Sequence, residues 1–177
     1  MEIQAKSIYN YETVKALTHT SIYRRFNPKK TFMVWTAYGV VLIIIMTALL
    51  CLRGIDSRFI ELMAIGILSV FIHCFAYWIF PKIQYKSLGK LADIENEFVF
   101  YDDVIKITSN NTEYSGEAEL KYTVIPKVME TTKYLFIFQN RRQVYAIDKS
   151  TLTNGTMEDI RRKLKNYVNN KYIMCRY

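Results

Sequence analysis

Two uncharged apolar runs lie close together in the first half of the chain, and each is long enough to cross a bilayer. Residues 32–52, FMVWTAYGVVLIIIMTALLCL, carry no charge over 21 positions; residues 62–80, LMAIGILSVFIHCFAYWIF, carry only His73 as an ionisable group over 19. At about 1.5 Å of rise per residue, about 20 apolar residues span a hydrocarbon core. The sequence therefore predicts two transmembrane helices, at 32–52 and 62–80, joined by a short external loop at 53–61 and forming an antiparallel hairpin. The first run starts some thirty residues in and has no small-residue cleavage site at its end, so a removed signal peptide is not expected.

Charge orients the hairpin, because cytoplasmic flanks collect lysine and arginine. Arg24, Arg25, Lys29 and Lys30 precede the first run, and Lys82, Lys86 and Lys90 follow the second. In the loop, Arg53 and Arg58 are offset by Asp56 and Glu61. Both termini are expected in the cytoplasm. The net charge of +8 splits evenly between residues 1–31 and 81–177, which fits attraction to anionic headgroups better than nucleic-acid binding. Cys51, Cys74 and Cys175 form no C-x-x-C pair, and three free thiols are expected.

Outside the apolar runs the pattern changes. Residues 1–31 are a cytoplasmic segment with a possible strand at 3–9 and a helix at 11–26. Pro81 is expected to end or kink the second span, leaving residues 81–94 as a linker at the headgroups. From residue 97, EFVFY, VIKITS, GEAELKY, KVMET, YLFIFQ and QVYAID read as six short strands separated by turn residues. In NGTMEDIRRKLKNYV, Thr156 is the expected N-cap of a helix with Ile160, Leu164, Tyr167 and Val168 on one face. Residues 95–170 then make a small β-sandwich or barrel closed by a C-terminal helix, with 171–177 as a tail. The fold class is α+β, a membrane hairpin plus a β-domain.

The stretch KYTVIPKVMETTKYLFIFQNRRQVYAIDKSTL, together with a second span ending in FPKIQYK, resembles the YcxB-like family of bacterial membrane proteins. The resemblance covers nearly the whole chain and rests on Tyr122, Ile125, Lys127, Val128, Glu130, Thr131 and Tyr134 to Phe136. Two positions depart from the family pattern: Tyr122 stands where a tryptophan is usual, and Ile147-Asp148-Lys149 where isoleucine-proline-lysine often closes the sixth strand. The resemblance implies a pleckstrin-homology-like C-terminal domain in the bacterial cytoplasmic membrane. It transfers no catalytic residue. Asp102 and Asp103 sit at the first hairpin turn, where pleckstrin-type domains that bind inositol phosphates carry basic residues.

Enzymatic chemistry finds no constellation to stand on. Only His19 and His73 are present, without H-E-x-x-H, G-x-S-x-G or a glycine-rich phosphate loop. No catalytic, cofactor-binding or metal-binding residue is assigned, and Asp102-Asp103 reads as a solvated turn. His73 stands apart because an ionisable group inside a span by default marks function. Gly66, Ser69, His73 and Ala76 recur at i, i+3, i+7 and i+10, a stripe suited to close helix packing. Tyr38 lies within one residue of the same depth, about 1.5 Å, so a hydrogen bond between neutral His73 and Tyr38 is expected; contact with a neighbouring copy and a proton or metal role are the alternatives. Arg141 and Arg142 at a hairpin tip, with Lys82, Lys86 and Lys90, are the candidate partner or headgroup contacts.

The sequence thus leads to a non-enzymatic membrane protein. Its expected partners are the lipid bilayer and either another protein or its own copies, with no nucleic acid, cofactor or small-molecule substrate. Protection against a membrane-active toxin or bacteriocin is the alternative.

Overall fold

Asparagine side chains start both helices that lead into the apolar hairpin. The computed structural model of the protein describes residues 2–24, 26–54, 57–113, 115–140, 143–168 and 171–175. Strand β1 (Ile3–Ile8) runs into α1 (Tyr11–Tyr23), whose first turn is capped by Asn10 accepting from the Thr13 amide at 3.0 Å. Asn27 accepts in the same way from Lys30 at 3.1 Å and opens α2 (Pro28–Arg53), with Pro28 in the first turn, where its missing N–H removes no intrahelical bond. Helix α2 therefore begins one turn before the apolar run and carries Lys29 and Lys30 within it.

The return helix is longer than the apolar run predicts. Helix α3 (Ser57–Cys74) passes through one π-helical turn (Phe75–Ile79) into α4 (Phe80–Ser87), giving 31 continuous helical residues or about 46 Å. Pro81 thus does not end the helix, which runs on through α4 into the segment expected as an interfacial linker suited to a short helix. The π-turn absorbs the proline: the Phe80 amide reaches back five residues to the Phe75 carbonyl, and the widened turn makes room for the ring.

Helices α2 and α3 meet at two glycines. A Cβ placed on Gly39 would lie 2.7 Å from Val70 Cγ2 and 3.1 Å from the Gly66 carbonyl oxygen, and one on Gly66 would lie 3.2 Å from the Gly39 carbonyl oxygen. The backbones approach this closely because neither residue has a side chain. Both helices leave most of their apolar surface exposed, from Met33 to Ile45 on α2 and from Ile60 to Ile72 on α3. They are long and apolar enough to span a membrane.

Among the described residues eight strands form two four-stranded sheets. Sheet A has the order β1-β2-β3-β4, all antiparallel, with β2 (Glu95–Phe100), β3 (Val104–Asn110) and β4 (Ser115–Lys121). Sheet B has the order β7-β6-β5-β8, from β5 (Lys127–Glu130), β6 (Tyr134–Phe138), β7 (Val144–Asp148) and β8 (Tyr172–Met174). The six strands read from alternation are all present, as is the N-terminal strand, which pairs with β2 in the register Ile3↔Phe100 to Ile8↔Glu95. The two sheets do not close into a barrel. Strand β8 lies in the segment expected to be a tail and pairs in parallel with β5; three residues are too few for an alternation signal.

Between the sheets lies the main core, where Phe98, Phe100, Ile105, Ile107, Leu135 and Ile137 are covered at one end by Ile160, Leu164 and Val168 of α5 (Met157–Val168). Thr156 caps α5 as expected, its hydroxyl and amide both engaging Asp159, at 2.6 and 3.1 Å. A second core lies on the other face of sheet B, where Met129, Tyr134, Phe136 and Ala146 pack against Ala16 and Leu17 of α1. Burial on both faces explains why YLFIF in β6 is apolar without alternation.

Candidate functional site at the junction of helices and sheets

Helix α1 is wedged between sheet B and the lower part of the return helix, so the junction is built from its side chains. Thr13, Thr18 and Thr20 are buried polar residues on a helix that has almost no water-facing side. Their hydroxyls donate to the carbonyls of Ile8 at 2.8 Å, Val14 at 2.8 Å and Ala16 at 2.7 Å, which satisfies them without outside partners. Thr18 also bonds Gln84 of α4, and Tyr11 meets Tyr85 edge to face at 5.9 Å.

His19 joins three helices. A proline at 81 has no N–H to offer the carbonyl four residues earlier, that of Tyr77; the Nε2–H of His19 donates to that carbonyl at 3.1 Å. The His19 ring stacks on Tyr77 at 4.5 Å between centroids, and Tyr77 stacks on Phe32 of α2, also at 4.5 Å. The result is a three-ring column running from α1 through the π-turn to α2. Burial pushes the His19 imidazole below its ordinary value; the bond to the Tyr77 carbonyl opposes this, and Lys15 and Glu12 make smaller contributions, downward and upward respectively. His19 is thus neutral near pH 7, with its proton on Nε2.

Beside this column a cavity of about 340 Å3 opens between α1 and the β5–β6 turn, lined by Glu12, Lys15, His19, Thr20 and residues 131–134. Lys15 lies 3.8 Å from Glu12, one turn away on α1, and Lys133 lies 3.9 Å from Asp148. Among the described residues no group of three His, Cys, Asp or Glu side chains is gathered to hold a metal ion. The arrangement holds helices together.

The residues singled out from sequence are placed as follows. Gly66 sits at the α2–α3 crossing, and Ser69, His73 and Ala76 are half-buried along the same helix. His73 does not bond Tyr38. Its Nδ1–H donates to the Ser69 carbonyl at 2.7 Å, and its ring stacks on Trp35 at 5.6 Å. Tyr38, 58% exposed, instead meets Trp35 edge to face at 6.1 Å. Matching depth was not enough, because Trp35, one turn earlier on α2, occupies the azimuth facing His73. Lys82 and Lys86 are exposed on α4, and exposed Lys90 pairs with Glu113 at 2.7 Å. Arg141 and Arg142 lie outside the described residues. No disulfide joins Cys51, Cys74 or Cys175 among the described residues. No family model, curated protein or solved structure matches this chain.

A polar centre absent from the sequence reading lies under α5. Glu130 of β5 has a side chain only 5% exposed, yet it accepts from Lys149 Nζ at 2.7 Å, from Arg161 at 2.8 and 3.1 Å, and from the Tyr172 hydroxyl at 2.5 Å. Burial alone would raise its carboxyl; the bonds from Arg161, Lys149 and Tyr172 outweigh that and hold it at about 2. Burial together with the Glu130 carboxylate pushes the Tyr172 hydroxyl far above the ordinary tyrosine range. Lys149 also donates to the Thr131 carbonyl at 2.6 Å. The centre ties β5, α5, β8 and the segment after β7 together, and its partners are 19, 31 and 42 residues from Glu130.

Proposed function

We propose that this chain is an integral protein of the bacterial cytoplasmic membrane, with both termini in the cytoplasm and no enzymatic activity of its own. It would present a pleckstrin-homology-like domain as a protein-interaction or self-assembly module against the membrane, as the resemblance to the YcxB-like family implies. The observation that carries this reading is the wedge of α1, which lies between hairpin and sheets, bonded on one side to Tyr77 and Gln84 and packed on the other against β5 and β6. A domain clamped in this way keeps one orientation beneath the helices, which suits presentation of a surface. Two further observations support it. The exposed apolar belts of α2 and α3 need a nonaqueous surround, and pairing of β1 with β2 brings the two flanks of the hairpin to one side.

The test is complementation of a deletion strain by the full chain and by the hairpin of residues 28–87 alone, with an impermeant thiol reagent reporting topology through Cys51. Full chain alone restoring the phenotype, with Cys51 labelled from outside, supports the reading. Protection from a membrane-active toxin by the hairpin alone would replace it with an immunity function.

A further inference from the structure

The two edges of sheet A are treated differently. Along β1, Gln4 exchanges both backbone hydrogen bonds with Thr153, at 3.0 and 2.9 Å, and the Lys6 amide and carbonyl are both engaged by the Thr151 hydroxyl, at 2.8 and 2.7 Å. That edge is closed. At the other edge no strand lies beside β4 among the described residues.

Register identifies which backbone groups of β4 face outward. The Tyr101 amide bonds the Val104 carbonyl and the Tyr122 amide bonds the Asp103 carbonyl. With the pairings of β3, this makes 105↔120, 107↔118 and 109↔116 the hydrogen-bonded pairs, because such pairs alternate along an antiparallel ladder. The N–H and C=O groups of Ser115, Glu117, Glu119 and Lys121 therefore point away from the sheet. Such a row is a template for another strand.

Side chains specify what that strand would carry. Glu117 and Glu119 project from the outer face two residues apart; Glu117 reaches Lys106 at 3.1 Å, and Glu119 has no ion pair among the described residues. On the inner face Gly116 and Ala118 line a cavity of about 510 Å3 with Leu91, Ile94, Val144 and Tyr145. A second copy of β4 is a poor occupant. The antiparallel register that sets Ser115 against Lys121 also sets Glu117 against Glu119 twice, and like charges directly opposite are destabilising.

We propose that β4 is a docking edge for an extended basic segment of a partner protein, which adds as a fifth strand to sheet A. Its lysine or arginine side chains, two residues apart, lie over Glu117 and Glu119, and the apolar side chain between them overhangs the cavity beside Ala118. This mode obtains affinity from main-chain bonds and specificity from alternate side chains. It rests on the interaction-module reading and names the partner's chemistry.

The experiment uses the full chain in phosphatidylcholine nanodiscs and two labelled eight-residue peptides, one alternating lysine with valine and one alternating glutamate with valine. Fluorescence anisotropy should show the lysine peptide binding below about 1 mM, at least about tenfold tighter than the glutamate peptide and weakening with salt. Amide exchange at Glu117 and Glu119 should slow on binding. The double variant Glu117→Lys with Glu119→Lys should reverse the peptide preference. Glu119→Pro removes only an outward N–H and leaves the β3 ladder intact, so it should abolish binding without changing the melting temperature. Lysine-peptide binding unaltered by Glu119→Pro, no exchange protection, or no binding by the unmodified chain would each overturn the docking edge. The interaction-module reading fails separately, if photo-crosslinkers placed over every exposed face of both sheets capture nothing in native membranes.

Discussion

Replacing Glu130 by glutamine separates the charge of the buried centre from its shape. The carboxyl sits at about 2 in the folded protein against an ordinary 4.5. Because its folded value is depressed, the stabilisation is fully present above the unfolded value and is lost as pH falls through the folded one. A tenfold change in proton affinity is worth about 1.4 kcal/mol, so the Glu130 share is about 3 kcal/mol, nearly all of it lost between pH 6 and pH 2. For a chain of this size that equals about 6–12 °C in melting temperature. Other carboxylates titrate in the same window, including Asp102 beside Lys163 and Asp159 at the α5 cap, so the difference between proteins is the quantity to read. Thermal unfolding of the full chain and of Glu130→Gln, followed by far-ultraviolet circular dichroism in a non-titrating detergent, should show curves that lie far apart at pH 6 and converge by about 3 kcal/mol toward pH 2. Parallel curves across the window would show that the carboxylate is not held by its cationic partners and would refute the reasoning.

Gly66→Leu should force α2 and α3 apart, because even a Cβ there lies 3.2 Å from the Gly39 carbonyl oxygen; a loss of about 1–3 kcal/mol is expected, read as a lower melting temperature of the hairpin. Pro81→Ala supplies an amide that competes for the Tyr77 carbonyl. Since that carbonyl raises the His19 value, the His19 titration followed by nitrogen NMR should move further down; an unchanged titration would show that the bond does not act on the ring. Thr156→Ala removes the hydroxyl that engages Asp159 and should lower stability by about 1 kcal/mol by denaturant titration.

The strands were legible where physics acts locally. Alternation and turn residues located β2 to β7, and the Thr156–Asp159 spacing located α5, because each depends on neighbours in the chain. What escaped depends on distant partners. Pro81 reads as a stop signal, yet the π-turn and His19, some sixty residues earlier in sequence, accommodate it. YLFIF was read only as one more short strand, and nothing in the sequence said that α1 covers its second face. Glu130 gave no local signal at all, since it is polar in a buried strand and its partners come from three other segments. His73 was paired with Tyr38 from matching position along the two helices, but the ring it meets is that of Trp35, which also meets Tyr38.

The pairing of β1 with β2 also orders events in time. During synthesis Ile3–Ile8 emerges first, but its partner Glu95–Phe100 follows only after both apolar helices have been made. Until then the first strand has no edge to join and α1 has no sheet B to cover. A chain in which α3 failed to fold back along α2 would hold β1 and β2 apart, and neither sheet A nor the α1 wedge could form. Completion of the β-domain thus depends on the hairpin: only a chain in which α3 has returned alongside α2 can bury Ile3 against Phe98 and Phe100. A chain that fails to do so keeps an open strand at β1 and leaves α1 without the sheet it packs against.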